Sequence, residues 1–298
     1  MENKLLYLPK WYFDCKLGGK KKPLQTVLFL TDYCNLACKH CTAQGHAGTF
    51  MKPFAQIREE LVYSYRKGAR FLDLEGGEPT LWREGKKDIN TVIRLAKKIG
   101  FFSVTVTTNA QRPFSGLEAD SVWVSLDGVG RVHDRIRGEG AFEKLEKNVM
   151  SCRRKRVSVN MAINRYNKNN VTQAIKYVKK NPHLDQISLN FHTPYEGTEQ
   201  LEVPWEDRKK LIDTILAMKR AGYPIMNSYS GLKLMKKPAG DRPCWISNFI
   251  LTDGTRLTEC PGKTAGLCSR CGFSMSGEMA SVMKLKPDTI LAGLKLRV

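Results

Sequence analysis

The sequence predicts an α/β fold, a partial (βα)6 TIM-like barrel followed by a small C-terminal cysteine-rich hairpin module. Three observations carry this. From residue 24 to about residue 230, short β-branched or apolar runs alternate with amphipathic helical stretches, the pattern of βα units around a parallel sheet. Gly68, Gly100 and Gly222 fall just past helical stretches, where a left-handed cap favours glycine. Beyond about Lys236 the pattern gives way to turns, a hairpin and a compact cysteine pair. The expected units are an N-terminal extension over 1–23, the barrel over 24–235 and the cysteine-rich module over 236–298.

The strand candidates, in order, are Gln25 to Leu30, Arg70 to Glu75, Phe102 to Thr108, Ser121 to Leu126, Val157 to Ile163 and Gln186 to Phe191. Phe54, Ile57, Leu61 and Tyr65 mark the first helix by their spacing, and Ile89, Val92, Ile93 and Ala96 the second. Further helices are expected over 141–155, 170–180 and 204–222. Right-handed crossovers between six such units give an open barrel rather than a closed eight-fold one. In the last segment, Asp253-Gly254 between two β-like runs predicts a hairpin from Trp245 to Glu259.

Composition bounds the function. The 298 residues are 42% hydrophobic and 26% charged, enough for one large core and an appendage, which excludes disorder and collagen-like order. Lysine and arginine number 49 against 29 acids, a formal charge of +20 that points to an anionic partner. No apolar run approaches the roughly 18 residues of a membrane-spanning helix. Lys4 is followed by only Leu5 to Leu8 before Pro9, too short for the apolar region of a secretory signal, so a cytoplasmic protein is expected. In a reducing compartment its nine cysteines read as thiols, and clustered thiols as metal ligands or reactive groups.

Cys34-Asn35-Leu36-Ala37-Cys38-Lys39-His40-Cys41 follows directly on the first strand, at the carboxyl rim where parallel α/β folds place their chemistry. Three thiolates on a tight loop hold three irons of a four-iron, four-sulfur cluster and leave the fourth open. Structural zinc is the competing reading. It needs a fourth ligand, and His40, constrained between Lys39 and Cys41, is not expected to point inward.

With its CxxxCxxC spacing and an aromatic ring, His40, before the last cysteine, the loop resembles the signature of the radical S-adenosylmethionine (SAM) enzymes. The resemblance implies a [4Fe-4S] cluster on Cys34, Cys38 and Cys41, whose open iron chelates SAM. It also implies reductive cleavage of SAM to a 5′-deoxyadenosyl radical, and a reductant such as flavodoxin or ferredoxin. Glu75-Gly76-Gly77-Glu78-Pro79 after the second strand resembles the family's GGEP loop, with Gly76 and Gly77 allowing close backbone approach to the SAM amino group and Glu78 offsetting its charge. Thr107, Thr108 and Asn109 end the third strand, and Ser125, Leu126, Asp127 and Gly128 the fourth; they resemble contacts to the SAM ribose and carboxylate, or serve as strand-end caps. Arg137 resembles the arginine that pairs with the SAM carboxylate, with Arg135 its competitor. Asn160, Asn190 and His192 lie where substrate would be, unless they are satisfied core residues.

Cys244, Cys260, Cys268 and Cys271 form a second set. By resemblance to auxiliary-cluster domains they hold a second [4Fe-4S] cluster; a zinc knuckle remains open, as does a thiol hydrogen donor among them, and Cys260, Cys268 and Cys271 are preferred as ligands over Cys244. Leu17 to Leu24, Arg242 to Trp245, Cys268 to Phe273 and Ala280 to Val282 resemble the hopanoid-type enzymes that adenosylate a lipid alkene. The shorter chain and the compressed segment between Cys244 and Cys268 depart from that pattern.

Basic residues recur at Lys20 to Lys22, Arg153 to Arg156, Lys179-Lys180, Arg208 to Lys210 and Lys236-Lys237. They read as solvated surface, or as a peripheral contact to anionic lipid headgroups. Two substrate classes are therefore carried forward, an anionic or isoprenoid lipid and a ribosomally made peptide. A zinc-binding nucleic-acid protein is the rival of another class, although no RNA-binding motif supports a nucleic-acid partner.

Overall fold

The computed structural model describes residues 3–41, 48–154 and 157–297. Its centre is an eight-stranded sheet. The first six strands are β1 (Gln25–Phe29), β2 (Phe71–Glu75), β3 (Ser103–Thr108), β4 (Ser121–Ser125), β5 (Val157–Ile163) and β6 (Gln186–Phe191). They pair in parallel in chain order, as the βα pattern requires. Between them run α2 (Phe54–Lys67), α3 (Ile89–Ile99), α4 (Arg131–Arg137), α5 (Ala141–Met150) and α6 (Val171–Lys180), and α7 (Trp205–Arg220) follows β6. Lys155 and Arg156, the end of the expected 141–155 helix and of one basic run, lie outside the described residues.

Strand alternation divides the molecule. Leu72 and Leu74 of β2, Val104 and Val106 of β3, Val122 and Val124 of β4, and Ile187 and Leu189 of β6 join the helices in one apolar core. The alternate positions face the barrel lumen and are mostly polar: Gln25 donates to Asp73, Thr105 and Ser121 bond at 2.9 Å, and Asn190 Nδ2 donates to Asn160 at 2.7 Å. Towards the strands' amino ends these residues are buried; towards the carboxyl ends Phe29, Glu75, Thr107, Trp123, Ser125, Asn160 and Asn190 keep partial exposure, so the lumen opens on that rim.

The amino end is closed by a helix that the pattern left as an extension, α1 (Lys4–Lys16). Its Tyr7, Trp11 and Cys15 pack with Ile246, Leu24 and Phe102, and Trp11 Nε1 donates to the Lys22 carbonyl at 2.8 Å. The C-terminal hairpin forms where Asp253-Gly254 predicts it, with Gly254 at φ +90° and Leu251 N–H donating to the Thr255 carbonyl. It does not stand apart from the barrel. Its first strand, β7 (Ser247–Ile250), pairs in parallel with β1, and β8 (Arg256–Leu257) turns back antiparallel. Two contacts fix that docking: Thr26 Oγ1 donates to Asn248 at 2.7 Å, and the wholly buried Lys52 donates to Glu60 of α2 at 2.7 Å and to the Leu251 carbonyl at 2.8 Å.

Candidate active site

The cysteine loop leaves β1 on the open rim and is pinned on both sides. Lys39 N–H donates to the Ile136 carbonyl of α4 at 2.9 Å, and Cys41 N–H to the Cys38 carbonyl at 3.0 Å. On the other side lies the loop after β2. Gly77 N–H donates to the Thr31 carbonyl at 2.7 Å and Glu78 N–H to the Tyr33 carbonyl at 2.8 Å. A Cβ at Gly76 would stand 2.5 Å from the Thr31 oxygen, and one at Gly77 2.3 Å from the Tyr33 oxygen. The two glycines therefore let the two loops interlock, a close approach in addition to the one expected towards a ligand.

Glu78 is 1% exposed, and its carboxylate accepts from Thr80 Oγ1 at 2.5 Å, Thr108 Oγ1 at 2.7 Å, Asn109 N–H at 2.7 Å and Thr80 N–H at 3.2 Å. Burial pushes this acid up while those donors pull it down. Its charge is committed to tying the end of β3 to the cysteine loop. Asn109, so placed, donates from Nδ2 to Asn35 at 2.8 Å and towards Cys34 Sγ at 3.7 Å. The next residue, Ala110, is held at φ +55°, a backbone state that a non-glycine residue adopts only under constraint.

The opposite wall is an ionic network. Asp127, wholly buried, accepts from Arg137 Nε at 2.6 Å and from Ala162 N–H at 2.9 Å. Arg137 Nη1 reaches Cys38 Sγ at 3.8 Å, whereas Arg135 turns outward over the Tyr166 ring. His40 corrects the sequence expectation. It points inward, with Nε2 3.6 Å from Asp127 Oδ2, because the turn anchored on α4 aims it at a buried carboxylate. Burial drives the His40 imidazole down to about 4, so it is neutral at pH 7, and its Nδ1 has no partner among the described residues. Burial also pushes the Cys38 thiol up to about 11 and raises that of Cys34, so both are protonated until a metal replaces the proton.

Ser125 ends β4 half-buried on the lumen side, and Thr107 Oγ1 donates to Glu75 at 3.4 Å. Sequence reasoning did not single out Glu75 for its own side chain; its inward position at the end of β2 follows once strand parity is known. Burial raises its carboxyl to about 7, with nearby Asp73 adding to the effect. Asn190 bridges Asn160 and the Ser274 N–H, while His192 is buried against Thr198, its Nε2 3.0 Å from that hydroxyl.

The second cysteine set gathers at the β6 end. Cys244, Cys260, Cys268 and Cys271 all line one small pocket, with Thr193, Ala239, Gly262, Lys263 and Leu267. Cys271 is brought there by Gly272, whose N–H donates to Thr193 Oγ1 at 3.0 Å and whose missing side chain admits the Phe191 carbonyl. Burial, then the mutual repulsion of the other thiols, pushes Cys244 up to about 12. Among the described residues no three His, Cys, Asp or Glu side chains converge as a ready-made site for one metal ion. Thiolates around a cluster bind separate irons and need no such convergence.

The radical SAM superfamily model matches residues 28–178, half of the chain and all of the site's N-terminal wall. The chain belongs to the radical SAM superfamily. It is 28% identical over 178 residues to GTP 3′,8-cyclase of Psychromonas ingrahamii, covering 55% of this chain and 50% of that one. It is 29% identical over 191 residues to pre-heme d1 synthase of Dinoroseobacter shibae, covering 60% and 45%. The chain thus spans about half the length of the curated relatives it matches. Among solved structures, SuiB of Streptococcus suis bound to precursor peptide SuiA superposes with a TM-score of 0.64 at 14% identity, over 100% of this chain and 73% of that one. The enzyme anSMEcpe with bound AdoMet and the Kp18Cys peptide gives 0.63 at 15% identity, over 93% and 84%. These likenesses show the fold. Membership makes the protein an enzyme, implies a [4Fe-4S] cluster and SAM, and brings the general need for a reductant such as flavodoxin or ferredoxin. Among the described residues, no helix is long and apolar enough to cross a membrane.

The loop fits the implied cluster. It offers three thiols on one short turn, with nitrogen donors from Asn109 and Arg137 directed at two of the sulfurs. Such donors offset thiolate charge once the protons have left.

Proposed function

We propose that this radical SAM enzyme binds its catalytic cluster through Cys34, Cys38 and Cys41 and acts on a polar substrate, a peptide before a lipid, held in the barrel lumen. When bound, the cluster supplies the electron that divides SAM into methionine and a 5′-deoxyadenosyl radical. Arg137, steered by Asp127, presents a guanidinium beside Cys38 where the SAM carboxylate would lie. Gly76, Gly77 and Glu78 hold the cysteine loop against the end of β3, so Thr108 and Asn109 face the same space. His40, neutral and turned inward, and Ser125 complete the wall and keep water from it. In the C-terminal module, Cys244, Cys260, Cys268 and Cys271 hold a second thiolate-ligated centre.

The polarity of the lumen carries the substrate reading. Inward positions are mostly hydroxyls, amides and the two acids Asp73 and Glu75, with Val27, Phe29, Phe71, Trp123 and Ala162 the apolar exceptions. An isoprenoid would strip water from the half-exposed groups at the rim without offering hydrogen bonds in return, at a cost of about 1–3 kcal/mol for each group left unpaired. A peptide supplies N–H and C=O partners. SuiB and anSMEcpe, which share the fold, were solved with peptides bound.

The test is anaerobic reconstitution, with iron, sulfide and zinc counted per chain in the wild type and in a Cys34, Cys38, Cys41→Ala triple variant. About eight irons falling to about four is the expected result. In parallel, Cys38→Ala should abolish 5′-deoxyadenosine formation while the far-ultraviolet circular dichroism stays native. Continued 5′-deoxyadenosine production by that variant would sink the assignment.

A further inference from the structure

Arg208 is a buried charge that none of these roles uses. It lies in the first turn of α7 and is 4% exposed. Its guanidinium is stacked 4.7 Å from the Phe191 ring centroid and 4.4 Å from that of Trp205. Nε is shut off from solvent and has no hydrogen-bond acceptor among the described residues. Glu202, an acid whose field reaches Arg208, is already engaged by Arg270, whose Nε donates to it at 2.9 Å. A guanidinium so placed is costly unless something negative faces it.

The ring beneath it ties it to the four-cysteine module. The Phe191 under the guanidinium is locked to the residue after Cys271: Phe191 N–H donates to the Gly272 carbonyl at 2.8 Å, and a Cβ on Gly272 would come within 1.9 Å of the Phe191 oxygen. Burial presses the guanidinium down to about 10, while Cys271 pulls it the other way. A second guanidinium, Arg242, feels Cys271 and Cys244, and its Nη1 donates at 3.0 Å to Ser276 Oγ, which lies 3.8 Å from Cys271 Sγ. Lys263, also lining the pocket, is paired with Glu259 at 3.0 Å, and no acid lines the pocket itself.

We propose that Arg208 is the fixed counter-charge of a four-thiolate metal centre in the C-terminal module, acting on it through Cys271. This rests on the reading that the four thiols hold metal. Four thiolates on a doubly charged ion, or on an oxidised cluster core of the same charge, leave a net negative centre. A buried cation beside it stabilises the loaded state, and it favours the reduced form of a cluster, which carries one further negative charge. In the metal-free chain that counter-charge is missing, and only the stacking on Phe191 and Trp205 holds the guanidinium. Removing the cation must therefore cost the loaded state more than the metal-free one.

The experiment uses the full chain, metal-free and anaerobically reconstituted, as wild type, Arg208→Met and Arg208→Lys. Calorimetry should show Arg208→Met losing more melting temperature relative to wild type with metal than without it. An EPR-monitored redox titration should show the potential of the second cluster displaced downward in Arg208→Met, unchanged for the Cys34, Cys38, Cys41 cluster, and restored towards wild type in Arg208→Lys. If the wild type carries zinc there, the readout is release of zinc to a chelator, faster in Arg208→Met and unchanged in Arg208→Lys. A stacked arginine with a purely structural role would lower melting by the same amount in both states, or prevent folding of Arg208→Met, and leave potential and release rate untouched; any of these overturns the inference. Wild-type protein with no metal in the C-terminal module would overturn the underlying reading as well, and is recognised without any variant.

Discussion

Asp127→Asn probes the keystone of the rim. The carboxylate is wholly buried and bonded to Arg137, whose side chain is 10% exposed. Burial alone would raise this acid, but Arg137, His40, His133 and the Ala162 N–H outweigh it and hold the carboxyl at about 2 against an ordinary 3.8. At about 1.4 kcal/mol per pH unit, that gap means about 2 kcal/mol of stability from ionisation. Asparagine keeps the shape and the acceptor for Ala162 but strands a buried guanidinium, and removing one partner of a buried pair costs about 3–5 kcal/mol. The lower end is expected, because Arg137 retains its contact with Cys38 Sγ. A depressed carboxyl contributes stability that is fully present above its unfolded pKa of 3.8 and is lost as pH falls through about 2. Denaturant unfolding of the metal-free chain under nitrogen should therefore show a deficit of about 3 kcal/mol at pH 7 that narrows between about pH 4 and pH 2. A deficit below about 1 kcal/mol at pH 7, or one unchanged down to pH 2, would refute the argument.

Gly77→Ala places a methyl group 2.3 Å from the Tyr33 oxygen, so the cysteine loop must back away. We expect a stability loss of about 1–3 kcal/mol by denaturant titration, with lower iron uptake and native circular dichroism. Glu60→Gln leaves the wholly buried Lys52 charged and unmatched; a loss of about 3–5 kcal/mol, read as a lower denaturation midpoint, is expected, with limited proteolysis favouring the hairpin that Lys52 ties through the Leu251 carbonyl.

Much of the barrel was legible because its strands are short runs of β-branched and apolar residues set off by helices of clear period. Val157–Ile163 and Gln186–Phe191 fall where the pattern puts them. The cysteine loop stands out by its CxxxCxxC spacing, and the glycine pair and Arg137 by resemblance to the radical SAM family. What failed depends on contacts distant in sequence. α1 hides its buried face because Leu5, Leu6 and Phe13 are exposed apolar residues and Pro9 interrupts the run, so the helical period is blurred. The pairing of β7 with β1 is decided by an exchange between Thr26 and Asn248 that no local pattern contains. The inward turn of His40 was not legible because its neighbours are local and its counter-charge, Asp127, is not.

The charge balance, read from composition as a sign of an anionic partner, divides by location once the sheet is known. None of the residues in the seven parallel strands is Lys, Arg or His, and their only ionisable acids are Asp73 and Glu75, both directed into the lumen. The basic excess is therefore carried outside the strands: Arg58, Arg66, Lys67 and Arg256, for example, line one open groove around Tyr63 on the outer face. A polyanion drawn by that field meets the outside of the barrel, where screening by salt weakens it within about 8 Å. A group entering the lumen meets Asp73 and Glu75, the latter with its carboxyl raised by burial to about 7, and no basic strand residue. The positive charge of the chain thus gives no reason to expect an anionic substrate. Raising ionic strength should weaken contacts at the outer groove while leaving substrate binding in the lumen little changed.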